Sequence, residues 1–304
     1  MEDKTVAILT SGGDCPGMNA CICAIAKSIL NRNAKVLGVY RGYEGLIDKD
    51  FREIAYEDIS DISHIGGTFL LTARSVKIKT KTGIKLAFNI LKQKKVDVLV
   101  AIGGDGTFRA ARALRKVGMP IICIPGTIDN DINCSEYSIG FDTAANTAVN
   151  MIDKLRDTST SHGRCAIVEV MGKNSGNLAS YIGTAAEATA TLVPEVSFNF
   201  EKDVVEPVRE RSSKNLKHSL VVVSENFLDI NDIAKKISEN AKVDVRVMVL
   251  GHVQRGGNPS AKDRVVANKM GCMAAYLIEN KKFNKVIVMK NGKITYLDMQ
   301  GQAE

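Results

Sequence analysis

The chain has 304 residues, 45% of them hydrophobic, and a net charge of +7 from 41 basic and 34 acidic residues. This length predicts a sizeable core and about two domains, and no apolar run approaches the length of a bilayer span. Residues 1–4 run straight into a strand without the charged and apolar regions of a signal peptide. We therefore predict a cytoplasmic protein with no membrane partner.

Charge and aromatic content restrict the possible classes of binding partner, and cysteine usage indicates the redox state of the thiols. We interpret the basic residues as spread along the chain, and aromatic residues make up only 5% with no tryptophan. Both features disfavour nucleic acid as a partner and favour small anionic molecules. The seven cysteines are odd in number and dispersed, which predicts reduced, space-filling thiols.

Apolar strands alternate with helices along the chain, and glycine-rich turns follow several of the strands. The predicted elements in chain order are strand 6–9, helix 20–30, strands 36–40, 98–102, 121–124 and 166–170, helix 175–186, a surface helix plus turn at 201–217, strand 219–224, helix 230–240, strand 245–250, helix 261–278 and strand 286–289. This alternation is typical of an α/β fold with parallel sheets covered on both faces and ligands at the carboxyl ends of the strands.

Two of the turns have phosphate-binding character. The turn 11–14, with Gly12 and Gly13, is as well explained by tight packing of the sheet as by backbone capture of phosphate. The turn 103–107 fixes Asp105 between glycines, where a Mg²⁺ ion that bridges phosphates would need a carboxylate. Asp105 could instead cap the following helix, and the two roles are compatible.

The turn 127–131 carries two acids, Asp129 and Asp131. We expect an extended segment that directs both carboxylates to the same side, so that one can act as a base near a metal held by Asp105. An Asp-rich solvent loop is the alternative, but it does not explain the preceding Pro125-Gly126 and the apolar strand behind it.

Basic side chains supply the opposite charge. The glycine-flanked turn 251–257 holds His252 and Arg255, a pair suited to gripping a terminal phosphate. Arg74 and Arg246 also require anionic partners. For Arg246, which lies inside an apolar strand, a buried salt bridge is an equally good explanation.

Taken together, these segments resemble the 6-phosphofructokinase family along nearly the whole chain. The matching segments, in order, are 9–19, 103–107, 125–131, 140–144, 169–173, 194–195 and 251–257. The resemblance implies two doubly wound domains, each a largely parallel sheet flanked by helices, with the active site in the cleft between them. It implies a larger ATP-binding domain, 1–139 plus 252–304, and a smaller fructose 6-phosphate-binding domain, 140–251.

The resemblance also implies transfer of the γ-phosphoryl group of ATP to the 1-hydroxyl of fructose 6-phosphate, with Mg²⁺ as cofactor. Asp129 is the expected base, and the other expected catalytic residues are Thr127, Asp131, Arg74 and Lys173. ATP binding is expected of Gly12, Arg74, Ser75, Gly104, Asp105, Gly106 and Thr107, with Asp105 holding the metal. Fructose 6-phosphate binding is expected of Thr127, Asp129, Arg164, Met171, Gly172, Lys173, Glu225, Arg246, His252 and Arg255.

In this family the equivalents of Arg164 and Arg246 reach in from a neighbouring subunit, so a complete site would require an oligomer, usually a homotetramer. Members that use pyrophosphate typically carry Asp and Lys where this chain has Gly106 and Gly126. The small residues favour ATP as the donor. The alternatives are a pyrophosphate-dependent enzyme and a noncatalytic sensor of nucleotides or sugar phosphates.

Three departures from the family pattern stand out. Lys173 replaces a usual arginine. In the family's effector pocket for ADP and phosphoenolpyruvate, three common cations are replaced and three remain; the replacements are Cys23, Tyr56 and Leu216, and the retained cations are Lys27, Arg156 and Lys214. We therefore expect weak or altered regulation. Relatives also continue beyond the strand at 294–297 with a helix, whereas this sequence ends at residue 304.

Overall fold

We describe residues 4–214 and 216–299 of the chain from a computed structural model. Positions 1–3, 215 and 300–304, which include both ends of the predicted larger domain, lie outside the described residues.

The chain divides into two compact units. The large unit contains the described residues up to Thr127, residues Ile132–Asp142 and the described residues from Arg255 onward. The small unit contains Ile128–Asp131 and Thr143–Gln254.

A seven-stranded sheet forms the centre of the large unit. Its strands are β1 Thr5–Ser11, β2 Lys35–Val39, β3 Phe51–Glu53, β4 Val98–Gly103, β5 Ile121–Pro125, β10 Lys285–Lys290 and β11 Lys293–Asp298. Their order is β11-β10-β5-β4-β1-β2-β3, and neighbours are parallel except for the outermost pair at each edge. The inner strands are buried throughout, which explains why they are continuous apolar runs without alternation.

Helices flank this sheet, and several of them begin directly after the turns that follow its strands. They are α1 Met18–Leu30, α2 Gly42–Ile47, α3 Lys81–Gln93, α4 Asp105–Lys116 and α9 Ala261–Glu279. Gly17 precedes α1 with φ 104°, and a Cβ there would lie 2.7 Å from Ile139 Cγ2, so a glycine is required at this position. Among the helices that the structure describes, none combines the length and apolar character needed to cross a bilayer.

The small unit is built on a four-stranded, fully parallel sheet. Its strands are β6 Cys165–Val170, β7 Ala190–Leu192, β8 Ser219–Ser224 and β9 Val245–Val249, in the order β7-β8-β6-β9. The helices of this part of the chain are α5 Phe141–His162, α6 Asn177–Ala185, α7 Glu206–Ser213 and α8 Ile230–Ala241. Side chains from β6, β8, α7 and α8 form its apolar core.

The predicted α/β class with two largely parallel sheets is confirmed. Apart from the stretch 201–217, each strand and helix for which we gave bounds is present, and no end differs by more than two residues. The charged stretch 201–217 is helical as predicted, but it opens with one turn of π-helix at Glu201–Val205 before α7. The 22-residue helix α5 was not predicted, because Asp, Asn, Thr and Ser interrupt its apolar spacing.

Candidate active site

Three glycine-rich turns lie side by side at the carboxyl edge of the large unit's sheet. The central strands β5, β4 and β1 are neighbours and parallel, and the register places Ser11 beside Gly103 and Gly103 beside Pro125. The turns that follow these three residues therefore start at the same level. Such an edge is where doubly wound sheets bind their ligands.

Hydrogen bonds tie the three turns together. Thr107 Oγ1 donates to Ser11 O at 2.8 Å, and Gly126 N donates to Gly103 O at 3.0 Å. From a neighbouring loop, Thr72 Oγ1 donates to Gly12 O at 2.9 Å. The turns form one connected layer of backbone.

The closeness of these turns depends on glycine. A Cβ on Gly103 would lie 2.4 Å from both Ser11 O and Thr107 Oγ1, closer than any real contact. Gly12 adopts φ +92°, a conformation that side chains disfavour. Both glycines are therefore fixed by geometry, and close backbone approach is also what phosphate binding by N–H groups needs.

Asp105 lies at the first position of α4. Gly104 occupies the N-cap position, so the alternative that Asp105 caps the helix with its side chain is wrong. Its carboxylate is 35% exposed and pairs with Arg109 Nη2 at 2.7 Å, one helical turn further on. A carboxylate at this end of a helix is also favoured by the helix dipole.

The donor set suits a magnesium ion that also binds phosphate. Among residues 4–214 and 216–299, no three His, Cys, Asp or Glu side chains converge to hold a metal by themselves. Mg²⁺ commonly takes one or two carboxylates, with phosphate oxygens and water completing its six ligands. A single accessible carboxylate at Asp105, beside glycine-rich backbone, fits that pattern.

Arg74 and Ser75 lie on the same unit but differ in burial. Arg74 is exposed, as a cation that meets a soluble anion must be. Ser75 is buried, and its hydroxyl accepts a hydrogen bond from Ile78 N at 3.3 Å. Hydrogen bonds from Ser75 and Lys77 lower the pKa of the Glu44 carboxyl. Ser75 therefore has a local structural task in addition to the predicted contact with ATP.

Gly106 and Gly126 differ in the space around them. A Cβ on Gly106 would meet no described atom within 4 Å. A Cβ on Gly126 would lie 3.1 Å from Ile102 Cγ2 and 3.4 Å from Met18 Cε. A larger residue is sterically easy at position 106 and crowded at position 126.

The turn 127–131 is not extended. Residues 128–129 form a turn and Asn130 has φ 49°, so the expected extended segment is wrong, and the alternation argument for a same-side pair of acids does not apply here. Asp129 is buried, with 7% of its surface exposed, whereas Asp131 is half-buried. The Asp131 Oδ2 atom lies 3.7 Å from Lys173 Nζ. The two acids therefore occupy different environments.

At the carboxyl edge of the small unit's sheet, one carboxylate holds a turn. Glu225 Oε1 accepts hydrogen bonds from Gly172 N at 3.2 Å and Lys173 N at 2.7 Å. Both donors have positive φ, 154° and 60°, and a Cβ on Gly172 would lie 2.3 Å from Ser175 O. Glu225 therefore fixes the turn that contains Met171, Gly172 and Lys173.

Gln254 is a structural member of this edge that the sequence analysis missed. It is fully buried, accepts a hydrogen bond from Met171 N at 3.3 Å and donates to Gly251 O at 3.0 Å. It thereby links the turn after β6 to the turn after β9. A glutamine between His252 and Arg255 in a glycine-flanked turn was the available signal.

His252 and Arg255 lie in one short 3₁₀ segment, Gly251–Arg255, yet their surroundings differ. His252 is exposed. The Arg255 guanidinium packs on the first glycine turn, because a Cβ on Gly13 would lie 2.4 Å from Arg255 Nη1. Arg255 Nε is buried with no hydrogen-bond partner in the described part of the chain.

Arg164 and Arg246 lie at the opposite edge of the small unit's sheet from Glu225. They precede β6 and begin β9, and Asp244 binds both, to Arg164 Nε and to Arg246 Nη1 at 2.7 Å each. A hydrogen bond from Arg164 is the main reason why the pKa of the Asp244 carboxyl is lowered. Because β6 is six residues long, roughly 20 Å separates the two edges.

The structure therefore does not bring Arg164 and Arg246 to the turn held by Glu225. Arg246 is also exposed, so the alternative of a buried salt bridge is wrong, although the ion pair exists. Sequence reasoning missed Asp244, although a carboxylate two residues before Arg246 was visible as a candidate partner.

The fold and the turns define a doubly wound α/β protein whose glycine-rich turns have the geometry that phosphate binding needs. A family model described as phosphofructokinase matches residues 5–278. The chain is 43% identical over 98% of its length to an ATP-dependent 6-phosphofructokinase of Alkaliphilus metalliredigens, covering 93% of that protein. It is 45% identical over 97% of its length to one of Clostridium tetani, covering 92% of it. The chain belongs to the phosphofructokinase family.

Solved structures agree with this membership. Phosphofructokinase from Saccharomyces cerevisiae superposes with a TM-score of 0.92 at 30% identity, covering 98% of this chain and 45% of the yeast chain. The chain thus spans under half of the yeast protein's length. A pyrophosphate-dependent phosphofructokinase from Marinobacter aquaeolei superposes with a TM-score of 0.87 at 19% identity, over 98% of this chain and 83% of its own, and shows the fold alone.

Proposed function

We propose that the protein is a glycolytic phosphotransferase that moves the γ-phosphoryl group of ATP to the 1-hydroxyl of fructose 6-phosphate. The products are fructose 1,6-bisphosphate and ADP. The observation that carries this proposal is the 43–45% identity, over nearly the whole chain, to relatives named ATP-dependent 6-phosphofructokinase. The phosphate-binding character of the turns supports it.

The large unit holds the nucleotide in this proposal. The turns with Gly12, Gly104 and Gly106 offer backbone N–H groups to phosphate oxygens, and the exposed Arg74 adds a positive charge. Thr107 holds its turn in place through Ser11 O. Asp105 would bind Mg²⁺, which when bound neutralises charge on the phosphates.

Asp129 is the proposed base. A carboxylate accepts the proton of the sugar hydroxyl as its oxygen attacks phosphorus, and such assistance is worth about 10²–10⁴-fold in rate. Its burial supports this role, because the oxygens of a carboxylate that is largely shielded from water are not occupied by hydrogen bonds to solvent. Thr127 and Asp131 position the turn, and Lys173 balances the charge of Asp131.

In the small unit, Met171, Gly172 and Glu225 would contact the furanose. His252 and Arg255, which share the segment Gly251–Arg255, would meet the 6-phosphate. Gly172 N and Lys173 N already donate to Glu225, so the backbone of this turn has little capacity left for an anion. The sugar phosphate must then be held by cationic side chains. That requirement supports the assignment of His252 and the arginines.

Arg164 and Arg246 are proposed to complete the site of a neighbouring subunit in a homotetramer. They lie at the amino edge of the small unit's sheet, away from Glu225, and this position supports a contribution to the site of another chain. Asp244 keeps both guanidinium groups in place until an anion binds. A cytoplasmic location stays a prediction from the sequence.

Two glycines support ATP over pyrophosphate as the donor. The open space at Gly106 suits a bulkier donor, and the crowding at Gly126 by Ile102 and Met18 disfavours a lysine that would fill the place of the nucleotide. A noncatalytic sensor is the weaker alternative, because the proposed base is present together with the residues proposed to bind ATP and those proposed to bind fructose 6-phosphate.

The test is an assay of the purified protein with Mg²⁺, either ATP or pyrophosphate, and a panel of fructose 6-phosphate, tagatose 6-phosphate and sedoheptulose 7-phosphate. We expect ADP release with ATP and fructose 6-phosphate. The D129S variant should lose about 10²–10⁴-fold in kcat while still binding both substrates, and D157S, which changes an exposed aspartate, should keep full activity. Turnover with pyrophosphate alone, or full activity of D129S, would contradict the proposal.

A further inference from the structure

The excess positive charge of the chain lies in one segment. Between Lys77 and Lys95 there are seven lysines and no acidic residue. The whole chain has 41 basic and 34 acidic residues, so the remainder is balanced and this segment carries the entire excess. The other 34 basic residues are spread along the chain as expected, but the net excess is not spread with them.

This segment folds so that its charge faces outward. It consists of a 3₁₀ turn at Lys77–Lys79 and the helix α3, Lys81–Gln93. The apolar side of α3 is buried in the core of the large unit through Ile84, Ala87, Ile90 and Leu91. All seven lysines are exposed. We call these seven lysines the lysine track.

Three lysines of the track share one stripe of α3. Lys85 and Lys92 are four and eleven residues after Lys81, which rotates them by only about 40° and 20° around the helix axis. They lie roughly 6 Å and 16 Å along the axis from Lys81. Lys79 precedes the stripe and Lys95 follows it. The result is a line of ammonium groups about as long as the helix.

Most of these ammonium groups lack a carboxylate partner within the described part of the chain. Lys77 pairs with Glu44 at 3.0 Å and lies 3.7 Å from Asp48. Lys92 and Lys94 lie over the rings of Phe88 and Phe51, and the other four lysines form no ion pair among the described residues. Among residues 4–214 and 216–299, the only salt bridges that an anion bound here would displace are those of Lys77.

The types of residue in and around the lysine track indicate which kind of partner it can bind. The apolar side of α3 is buried in the core, and the one large apolar side chain that the helix exposes, Leu86, is too little to insert into a bilayer. The track contains no arginine for bidentate contact with base edges, and its ring Phe88 is half-buried, which disfavours base stacking. A line of lysines suits the regularly spaced charges of a phosphate backbone.

We propose that the lysine track is a sequence-independent binding surface for the phosphate backbone of double-stranded nucleic acid. This replaces our expectation that nucleic acid is not a partner. It is independent of the proposed phosphoryl transfer, in which the seven lysines have no role.

The test compares two full-length variants of equal net charge. The track variant carries K81Q, K85Q and K92Q, and the control carries K235Q, K269Q and K281Q, three exposed lysines distant in sequence. Binding to fluorescein-labelled DNA and RNA duplexes of about 20 base pairs is followed by anisotropy across a salt series. Melting temperature and phosphotransferase activity, both expected to be unchanged, verify that the track variant is folded.

We expect wild-type affinity to fall steeply with salt and to be the same, within a fewfold, for unrelated duplex sequences. The track variant should bind at least ~10-fold more weakly at low salt, with a salt slope smaller by about 2 to 3, whereas the control should match wild type. Equal losses in both variants would show a net-charge effect and overturn the proposal. So would absence of duplex binding by wild type, or track-dependent binding to phosphatidylserine vesicles in its place.

Discussion

At the carboxyl edge of the seven-stranded sheet the turns are held by glycines and a threonine hydroxyl, whereas at the same edge of the four-stranded sheet they are held by Glu225 and Gln254. In the first case the backbone comes close to itself, and backbone and hydroxyl groups make the hydrogen bonds that hold Ser11, Gly12 and Gly103. In the second, a carboxylate already occupies the N–H groups. The first edge suits anion capture by backbone, and the second needs cationic side chains for the same task.

The largest effect should come from adding one methyl group to the first edge. In G103A the new Cβ would meet Ser11 O at 2.4 Å, and we expect a loss of about 3 kcal/mol or more in the free energy of unfolding, with loss of activity. G106A is the matched control, because its Cβ meets no described atom within 4 Å and stability should change by less than about 0.5 kcal/mol. Denaturant unfolding measures both, and equal stability of the two variants would contradict the account of this edge.

At the second edge, two substitutions of Glu225 separate the effect of its charge from the effect of its hydrogen bonds. E225Q keeps an oxygen acceptor for Gly172 N and Lys173 N, whereas E225A leaves both donors without one. We expect KM for fructose 6-phosphate to rise about 10-fold or more in E225A and less in E225Q, since a hydrogen bond to a charged group contributes about 1.5–3 kcal/mol. KM for ATP should stay near the wild-type value in both. A larger change in KM for ATP than for the sugar would show that the turn serves the other substrate.

A third prediction concerns regulation. The ammonium of Lys27, a retained cation of the family's effector pocket, lies 5.6 Å from the ring of the exposed Tyr56. We expect at most weak inhibition by phosphoenolpyruvate, with a several-fold gain in sensitivity in Y56R, because a charge-assisted hydrogen bond is restored. Y276R, at another exposed tyrosine, serves as the control. Strong, cooperative inhibition of the wild-type enzyme would refute the prediction.

The smallest effect is a pH-dependent change at the second edge. Burial, and next the charge of Glu225, raise the pKa of the Glu169 carboxyl above its ordinary value of about 4.3. The folded state therefore holds this proton more tightly than the unfolded state, and the contribution of Glu169 to stability is lost as pH rises through the raised pKa. E169Q should raise the melting temperature slightly at neutral pH and have no such effect below about pH 4. The exposed E239Q should show no such pH dependence, and a uniform shift at every pH in E169Q would exclude a titration effect.

Much of the fold could be predicted because its signals are local. The strands Val98–Gly103 and Ile121–Pro125 are uninterrupted apolar runs, and glycines in the sequence mark the turns that follow them. Helix α5 could not be found in the same way, since its stability comes from packing and its sequence is rich in Asn, Thr and Ser. The same limit applied to Asp129 and Asp131, where the positive φ of Asn130 turns a segment that we expected to be extended.

The sequence by itself determined the α/β class, the family and the types of residue available for the chemistry, because apolar runs, glycines and acids are properties of short segments. Only the tertiary structure decided that Gln254 links two turns, that Asp244 holds Arg164 and Arg246 at the far edge of the sheet, and that the lysines of α3 all face outward. These facts depend on strand order, register and the buried side of a helix. The pairs Met171–Gln254 and Arg164–Asp244 join residues distant in sequence, and no local pattern encodes them.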